Sequence, residues 1–175
     1  IFDPEFDAKK VNRADGVDLL LASAVNFYAP DISQEEAEAF YAAKVDADPD
    51  RPVSHGLNSR LSRNENGEIY EEVFSARGRY ASSIQEIIGH LEKAKDVAEN
   101  TDQAAALKLL IEYYETGDLK KWDDYNIAWV KTTGGDVDYI NGFVEVYNDP
   151  MGYRGSYETV VQVKDFDASE RMAVV

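Results

Sequence analysis

Cysteine is missing altogether from the 175 residues, which removes disulfide frameworks, thiolate zinc sites and cysteine nucleophiles together. Positive charge is scarce: 18 Lys and Arg stand against 34 Asp and Glu, a net charge of −16. The longest basic cluster is Lys120-Lys121, flanked by Asp118, Asp123 and Asp124. A phosphate backbone is held by clustered cations that release its counterions, so nucleic acid is not an expected partner. Anionic membrane surfaces are disfavoured by the same sign. Apolar runs are short, none approaching the roughly 18 to 20 residues of a membrane helix, and no charged n-region with an apolar h-region opens the chain. Ile1 stands where Met would begin a reading frame, and Met172 to Val175 close on an apolar stretch without a cap. A continuation is therefore expected at both ends.

Histidine is nearly absent too, with only His55 and His90. What remains is globular: 44% hydrophobic and 11% aromatic residues are too many for a disordered acidic tail. A chain of this length buries roughly 70% of the surface it exposes when unfolded, so one domain or a tightly joined pair of subdomains is expected.

Hydrophobic spacing divides the chain into segments. Val17, Leu20, Leu21, Ala24, Val25 and Tyr28 recur at helical spacing, with Asp15 as N-cap and Pro30 as stop. Ser33-Gln34-Glu35-Glu36 has the form of a capping box opening a helix to about Lys44. From Gly56 to Phe74 alternation around Asn66-Gly67 predicts a β-hairpin. Two helices follow, Tyr80 to Glu99 and Asp102 to Thr116, the second ended by Gly117. A short helix over Leu119 to Tyr125 precedes a strand at Ile127, Trp129 and Val130, broken at Gly134-Gly135. Val137 to Tyr147 and Ser156 to Lys164 form a second β unit around Asn148-Asp149-Pro150-Met151-Gly152, and a last helix begins near Asp167. The expected class is α+β, helices with small antiparallel strands: a helical part over 1–54, a hairpin over 55–76, a helical part over 77–126 and a β unit over 127–166.

Most motifs that could carry chemistry fail on inspection. Asp46-Ala47-Asp48-Pro49-Asp50 opens like a calcium loop, but Arg51 and Leu57 stand where an EF-hand needs Gly and Glu. Gln85-Glu86-Ile87-Ile88-Gly89-His90 is one residue from a helical zinc motif, and Gln is a poor replacement for the first imidazole. Asp123-Asp124 and Glu35-Glu36 are sequence neighbours whose side chains diverge on a helix, unlike a glycosidase pair. Nucleophile elbows, P-loops and dinucleotide fingerprints do not occur.

One stretch stands apart, Asn141 to Glu158. Continued as a strand, it would align Glu145, Tyr147 and Asp149 on one face, opposite Val144 and Val146. A carboxylate can hold a peptide's terminal ammonium, and a phenol can donate to a carbonyl or its oxyanion. The alternative is a strand-end ion pair of Glu145 with Arg154 around an Asp-Pro turn.

Phe143-Val-Glu-Val-Tyr-Asn-Asp-Pro-Met-Gly-Tyr-Arg-Gly-Ser-Tyr-Glu158 resembles the F-I-E-x-Y-x-D-P-x-G-x-(R/K)-x-x-(F/W/Y)-E block of the dipeptidyl peptidase III zinc metallopeptidases, most of all their bacterial branch. Ala24 to Tyr28, Gly56 to Leu61, His90 to Lys95 with Ala98 to Asn100, and Trp129 with Tyr139 to Phe143 agree in order. Asn148 and Val146 depart from residues found in some relatives, which bears on subsite preference. The resemblance implies that Glu145 binds the substrate's amino terminus and that Tyr147 contacts the scissile carbonyl, assisting catalysis. Asp149, Gly152, Arg154 and Glu158 match as shapers of the turn. The family's zinc motifs would lie past Val175, so zinc is implied for a full-length parent and no metal site for this stretch.

The implied architecture is part of a non-catalytic lobe containing a small β-barrel, facing the zinc-binding lobe of the same chain across a peptide cleft. The implied activity is release of dipeptides from free peptide N-termini by zinc-activated water, with this stretch inactive alone. A free-standing acidic peptide-binding or regulatory module is the other reading. A cytoplasmic location is expected, with a periplasmic or lipid-anchored one as alternative.

Overall fold

The computed structural model describes residues 10–174. Nine elements follow in order: α1 (Gln34–Ala42), β1 (Ser59–Arg63), β2 (Ile69–Val73), α2 (Ala81–Asp96), α3 (Thr101–Thr116), α4 (Leu119–Trp129), β3 (Val137–Glu145), β4 (Ser156–Val163) and α5 (Phe166–Met172). The fold is α+β. Its strands make two separate antiparallel pairs, β1 with β2 and β3 with β4, and the described residues close no barrel.

Local chemistry explains the elements that the sequence announces. Ser33 and Glu36 form a reciprocal capping box at α1, satisfying two orphan amides. Asn100 caps α3 by accepting from Gln103 N, and Gly117 ends it in the left-handed conformation at φ 73°. No Cβ fits at Gly117, since one would lie 2.4 Å from Val73 Cγ1.

Two expectations are overturned. The segment from Gly16 to Tyr28 is a series of turns rather than a helix. The Asp18 carboxylate accepts from Leu20 N and Leu21 N at 2.9 Å and from Gln34 N at 2.9 Å, competing with helical bonding. Residues 27–29 then run extended beside β1, with Leu61 N donating to Phe27 O and Ala29 N to Leu61 O. The apolar spacing was real burial, of Leu20 and Tyr28, achieved without a helix. Secondly, the strand expected at Ile127 to Val130 is the end of α4. Trp122, Tyr125 and Trp129 fall on one helical stripe packed on the α2–α3 core, and that burial outweighs the strand preference of Ile and Trp.

Two cores result. The larger joins α2, α3 and α4 to Phe74 and Phe143; the smaller gathers Leu20, Tyr28, Ile32, Ala37, Tyr41 and Leu61 around α1 and β1. Glu99, at the α2–α3 corner, accepts from Asp136 N and Val137 N at 3.0 and 3.1 Å and so anchors the start of β3 on the helices.

Two glycine substitutions test this description. Gly117→Ala should destabilise by at least the ~1 to 2 kcal/mol of the left-handed conformation, plus the clash with Val73. Gly89→Ala, inside α2 with open space around its Cβ, should stabilise by roughly 0.5 to 1 kcal/mol. Urea unfolding followed by tryptophan fluorescence gives both; a neutral Gly117→Ala would refute the cap.

Candidate functional site

β3 ends with an irregularity. Phe143 pairs with Tyr157, but Glu145 pairs with Ser156, so Val144 is the extra residue of a bulge. Bulges kink a strand and re-aim the following side chain. Phe143 stays buried while Glu145 is exposed, although simple alternation would put both on one face.

The chain then leaves the sheet. Asp149 N donates to Val146 O at 3.0 Å, closing a turn whose central residues are Tyr147 and Asn148, and Gly152 N closes a second turn on Asp149 O. Asn148 Nδ2 donates to Ser156 Oγ at 3.1 Å. The Asp149 carboxylate collects three backbone donors, Met151 N at 3.1 Å, Tyr153 N at 2.9 Å and Arg154 N at 2.8 Å. This one side chain dictates the shape of the whole loop.

The expected shared face of Glu145, Tyr147 and Asp149 therefore does not exist. Tyr147 is 69% exposed, whereas Asp149 and Arg154 are 0% exposed. Nor do Glu145 and Arg154 form an ion pair: among the described residues Arg154 has no carboxylate within salt-bridge distance, and its guanidinium lies between two tyrosines. Glu158 is a residue of β4, opposite Gly142, and takes no part in the turn. The strand runs from Ser156 to Val163, so Glu158 belongs to the sheet ladder.

Around Arg154 lies a network that sequence reading did not find. Arg154 Nη1 donates to Tyr28 Oη at 3.2 Å, and the Tyr28 hydroxyl donates to Asp149 at 2.8 Å. Arg154 Nη2 donates to Tyr41 Oη, and that hydroxyl donates to Glu71 Oε1 at 2.8 Å. Glu71 also accepts from Ser59 Oγ at 2.9 Å and pairs with Lys44. The guanidinium carbon sits 4.4 Å from the Tyr28 ring centre and 5.1 Å from that of Tyr41, a cation held over two π faces. Burial, the largest cause, raises both phenol pKa values and the neighbouring carboxylates raise them further, against the opposing effect of Arg154. Both hydroxyls thus remain protonated donors. Gly56, at φ 89°, supplies the room: a Cβ there would come within 3.0 Å of Tyr41 Oη and 3.2 Å of Arg154 Nη1. Tyr28 and Gly56 belong to the Ala24–Tyr28 and Gly56–Leu61 segments, which carry the family resemblance alongside the 143–158 block, and the three meet here.

The other candidates take structural places. Asp46 accepts from Val53 N and meets His55 Nε2 at 3.0 Å, and Asp48 accepts from Asp50 N, so the Asp-rich loop spends its carboxylates on its own turns. Gln85 Nε2 donates to Ala76 O. Among the described residues no three His, Asp or Glu side chains converge as a metal site requires. These residues do not fit a zinc ion, and no helix among them is long and apolar enough to cross a membrane.

Comparison with known proteins gives consistent matches. The model of peptidase family M49 covers residues 13–175. Dipeptidyl peptidase 3 of Mus musculus is 30% identical over 141 residues, 79% of this chain and 19% of the mouse protein. The Homo sapiens protein of that name is 37% identical over 87 residues, 50% of this chain and 12% of its own length. The chain thus spans about a fifth or less of these relatives. Among solved structures, DPP III from Caldithrix abyssi superposes with a TM-score of 0.66 at 22% identity, over 86% of this chain and 27% of that one. Dipeptidyl-peptidase III from Corallococcus sp. strain EGB gives 0.65 at 19%, over 85% and 26%. At these identities the structures speak for the fold alone.

The network has a pH signature. Burial raises the Glu71 pKa, but the bonds from Lys44, Tyr41 and Ser59 outweigh it, leaving the carboxyl below its ordinary 4.5. A depressed carboxyl contributes stability that is full above the unfolded-state value and is lost as pH falls through the folded-state one. Glu71→Gln should therefore be less stable near neutrality, and its stability should fall less steeply than wild type as pH drops below about 4.5. Urea midpoints across that window decide; parallel curves would show that Glu71 gains nothing from its partners.

Proposed function

The chain belongs to peptidase family M49, and from that premise we propose that it is the peptide-recognition part of a longer dipeptidyl peptidase III-like enzyme that removes dipeptides from free N-termini. One observation carries this reading. Within the Phe143–Glu158 block the exposed polar side chains that make no hydrogen bond or ion pair among the described residues are Glu145 and Tyr147, Tyr157 being bonded to Asn141, while Asp149 and Arg154 are wholly buried and hold the turn that follows. In this reading Glu145 binds the terminal ammonium as a charge-assisted pair, and Tyr147 donates to the carbonyl of the bond to be cut, where negative charge develops. The mouse and human relatives are named dipeptidyl peptidase 3, which supports an exopeptidase substrate. Zinc and the groups that bind it belong, in this proposal, to parts of the protein outside these residues, and the stretch alone is expected to be inactive.

In the complete protein Glu145→Ala should weaken binding of free-amine peptides by about 1.5 to 3 kcal/mol, the worth of a hydrogen bond to a charged group, while N-acetylated peptides bind as before. Competition against a dipeptidyl chromogenic substrate measures both. Equal losses for the two peptide forms would reject the ammonium role.

A further inference from the structure

The two exposed residues are held by different means. Glu145 is still in the ladder, opposite Ser156, and its backbone is fixed by the hairpin itself. Tyr147 lies two residues further, in a turn with no ladder. The three backbone bonds to Asp149 fix the shape of that loop but not where it sits on the protein. Its attachment runs from Asn148 to Ser156, from Gly155 N to Leu57 O, and through Asp149 and Arg154 to the phenols of Tyr28 and Tyr41.

Each phenol does what no other apolar-sized side chain does at such a place: its oxygen accepts from the guanidinium while its hydrogen goes to a carboxylate. Tyr28 links Arg154 to Asp149, and Tyr41 links Arg154 to Glu71, which Lys44, two residues past the end of α1, also engages. Tyr153, next to Arg154, stacks on Tyr41 at 4.4 Å between ring centres. The loop is thus referenced to α1 and to the extended 27–29 segment, both far from it in sequence.

We propose that Tyr28 and Tyr41 are positioning residues that, through Asp149 and Arg154, set the place of the Tyr147 phenol for the reaction. This rests on the reading of Tyr147 as the carbonyl contact. Removing one hydroxyl leaves a buried charge one partner short and lets the loop shift, and a shift of about 1 Å in a contact made in the transition state costs rate rather than ground-state binding.

The test is a double-mutant cycle in the complete enzyme with a dipeptidyl arylamide substrate. Tyr147→Phe alone should lower kcat. Tyr28→Phe should lower kcat by about tenfold with KM changed less than about twofold. Added to Tyr147→Phe, the Tyr28→Phe change should cost less than about twofold more, because the group it positions has gone. An undiminished effect in the Tyr147→Phe background, or a lowered Tm with unchanged kcat, would make the network merely structural and overturn the proposal. If Tyr147→Phe is itself silent while Tyr28→Phe is slow, the assigned role of Tyr147 fails instead, and this positioning role with it. Tyr41→Phe carries the same cycle should Tyr28→Phe not fold.

Discussion

A guanidinium buried without a carboxylate is the constraint on which this molecule's site turns. Removing a charge from water costs several kcal/mol after relaxation, and Arg154, 0% exposed, has to recover that from what surrounds it. Its neighbours are two phenol oxygens and two ring faces. Neutral phenols would be weak compensation, but each donates its hydroxyl hydrogen bond to a carboxylate, Tyr28 to Asp149 and Tyr41 to Glu71. The negative charge is relayed through the hydroxyls, which makes their oxygens better acceptors in a medium of low dielectric. With Lys44 at the far end, two carboxylates meet two cations and the chain of contacts is neutral as a whole.

That arrangement explains features which separately look incidental. Residues 27–29 are extended because Tyr28 has to reach Asp149 from beside β1, and Leu61 takes up the backbone bonds on either side of it. Gly56 is the place where any side chain would displace Arg154 or Tyr41. The loop's own rigidity comes from Asp149, whose carboxylate serves backbone and phenol together. Interior demands have thus taken up the charged groups of the 149–154 segment, Asp149 and Arg154, and Glu145 and Tyr147 are left outside.

How much of this could be read beforehand depended on the range of the interactions. The capping box of Ser33 and Glu36, the Gly117 stop and the Asn66-Gly67 hairpin involve neighbours within a few residues, and they stand where the pattern put them. The supposed helix over residues 16–28 failed because burial of Leu20 and Tyr28 at helical spacing is equally compatible with a turn pinned by Asp18. The strand at Ile127 failed because propensity weighs little against the Trp122–Tyr125–Trp129 stripe. Alternation misplaced Asp149 because it assumed a strand that a bulge and a turn interrupt. Tyr28 bonds across 121 positions to Asp149, and no periodicity contains such a contact. Its trace in the sequence was indirect: three of the segments that resemble the family, Ala24–Tyr28, Gly56–Leu61 and the 143–158 block, meet at Arg154.

The charge of the whole chain bears on how an exposed Glu145 would act. A lone surface carboxylate in water attracts an ammonium weakly, since high dielectric and salt screen it. A net charge of −16 adds a broad negative field, and much of the local positive charge is spent, Arg51 on Asp124, Arg63 on Asp31 and Glu36, Arg79 on Glu72 and Lys121 on Glu112. Such a field draws a cationic terminus toward the surface and repels a competing anion, raising encounter without fixing orientation. Orientation has to come from a rigid presentation of the short-range groups. In the proposed role, the bulge that turns Glu145 outward and the buried phenol–guanidinium chain that holds the following loop would provide it, so that the long-range and short-range parts of recognition would come from different residues of the same small fold.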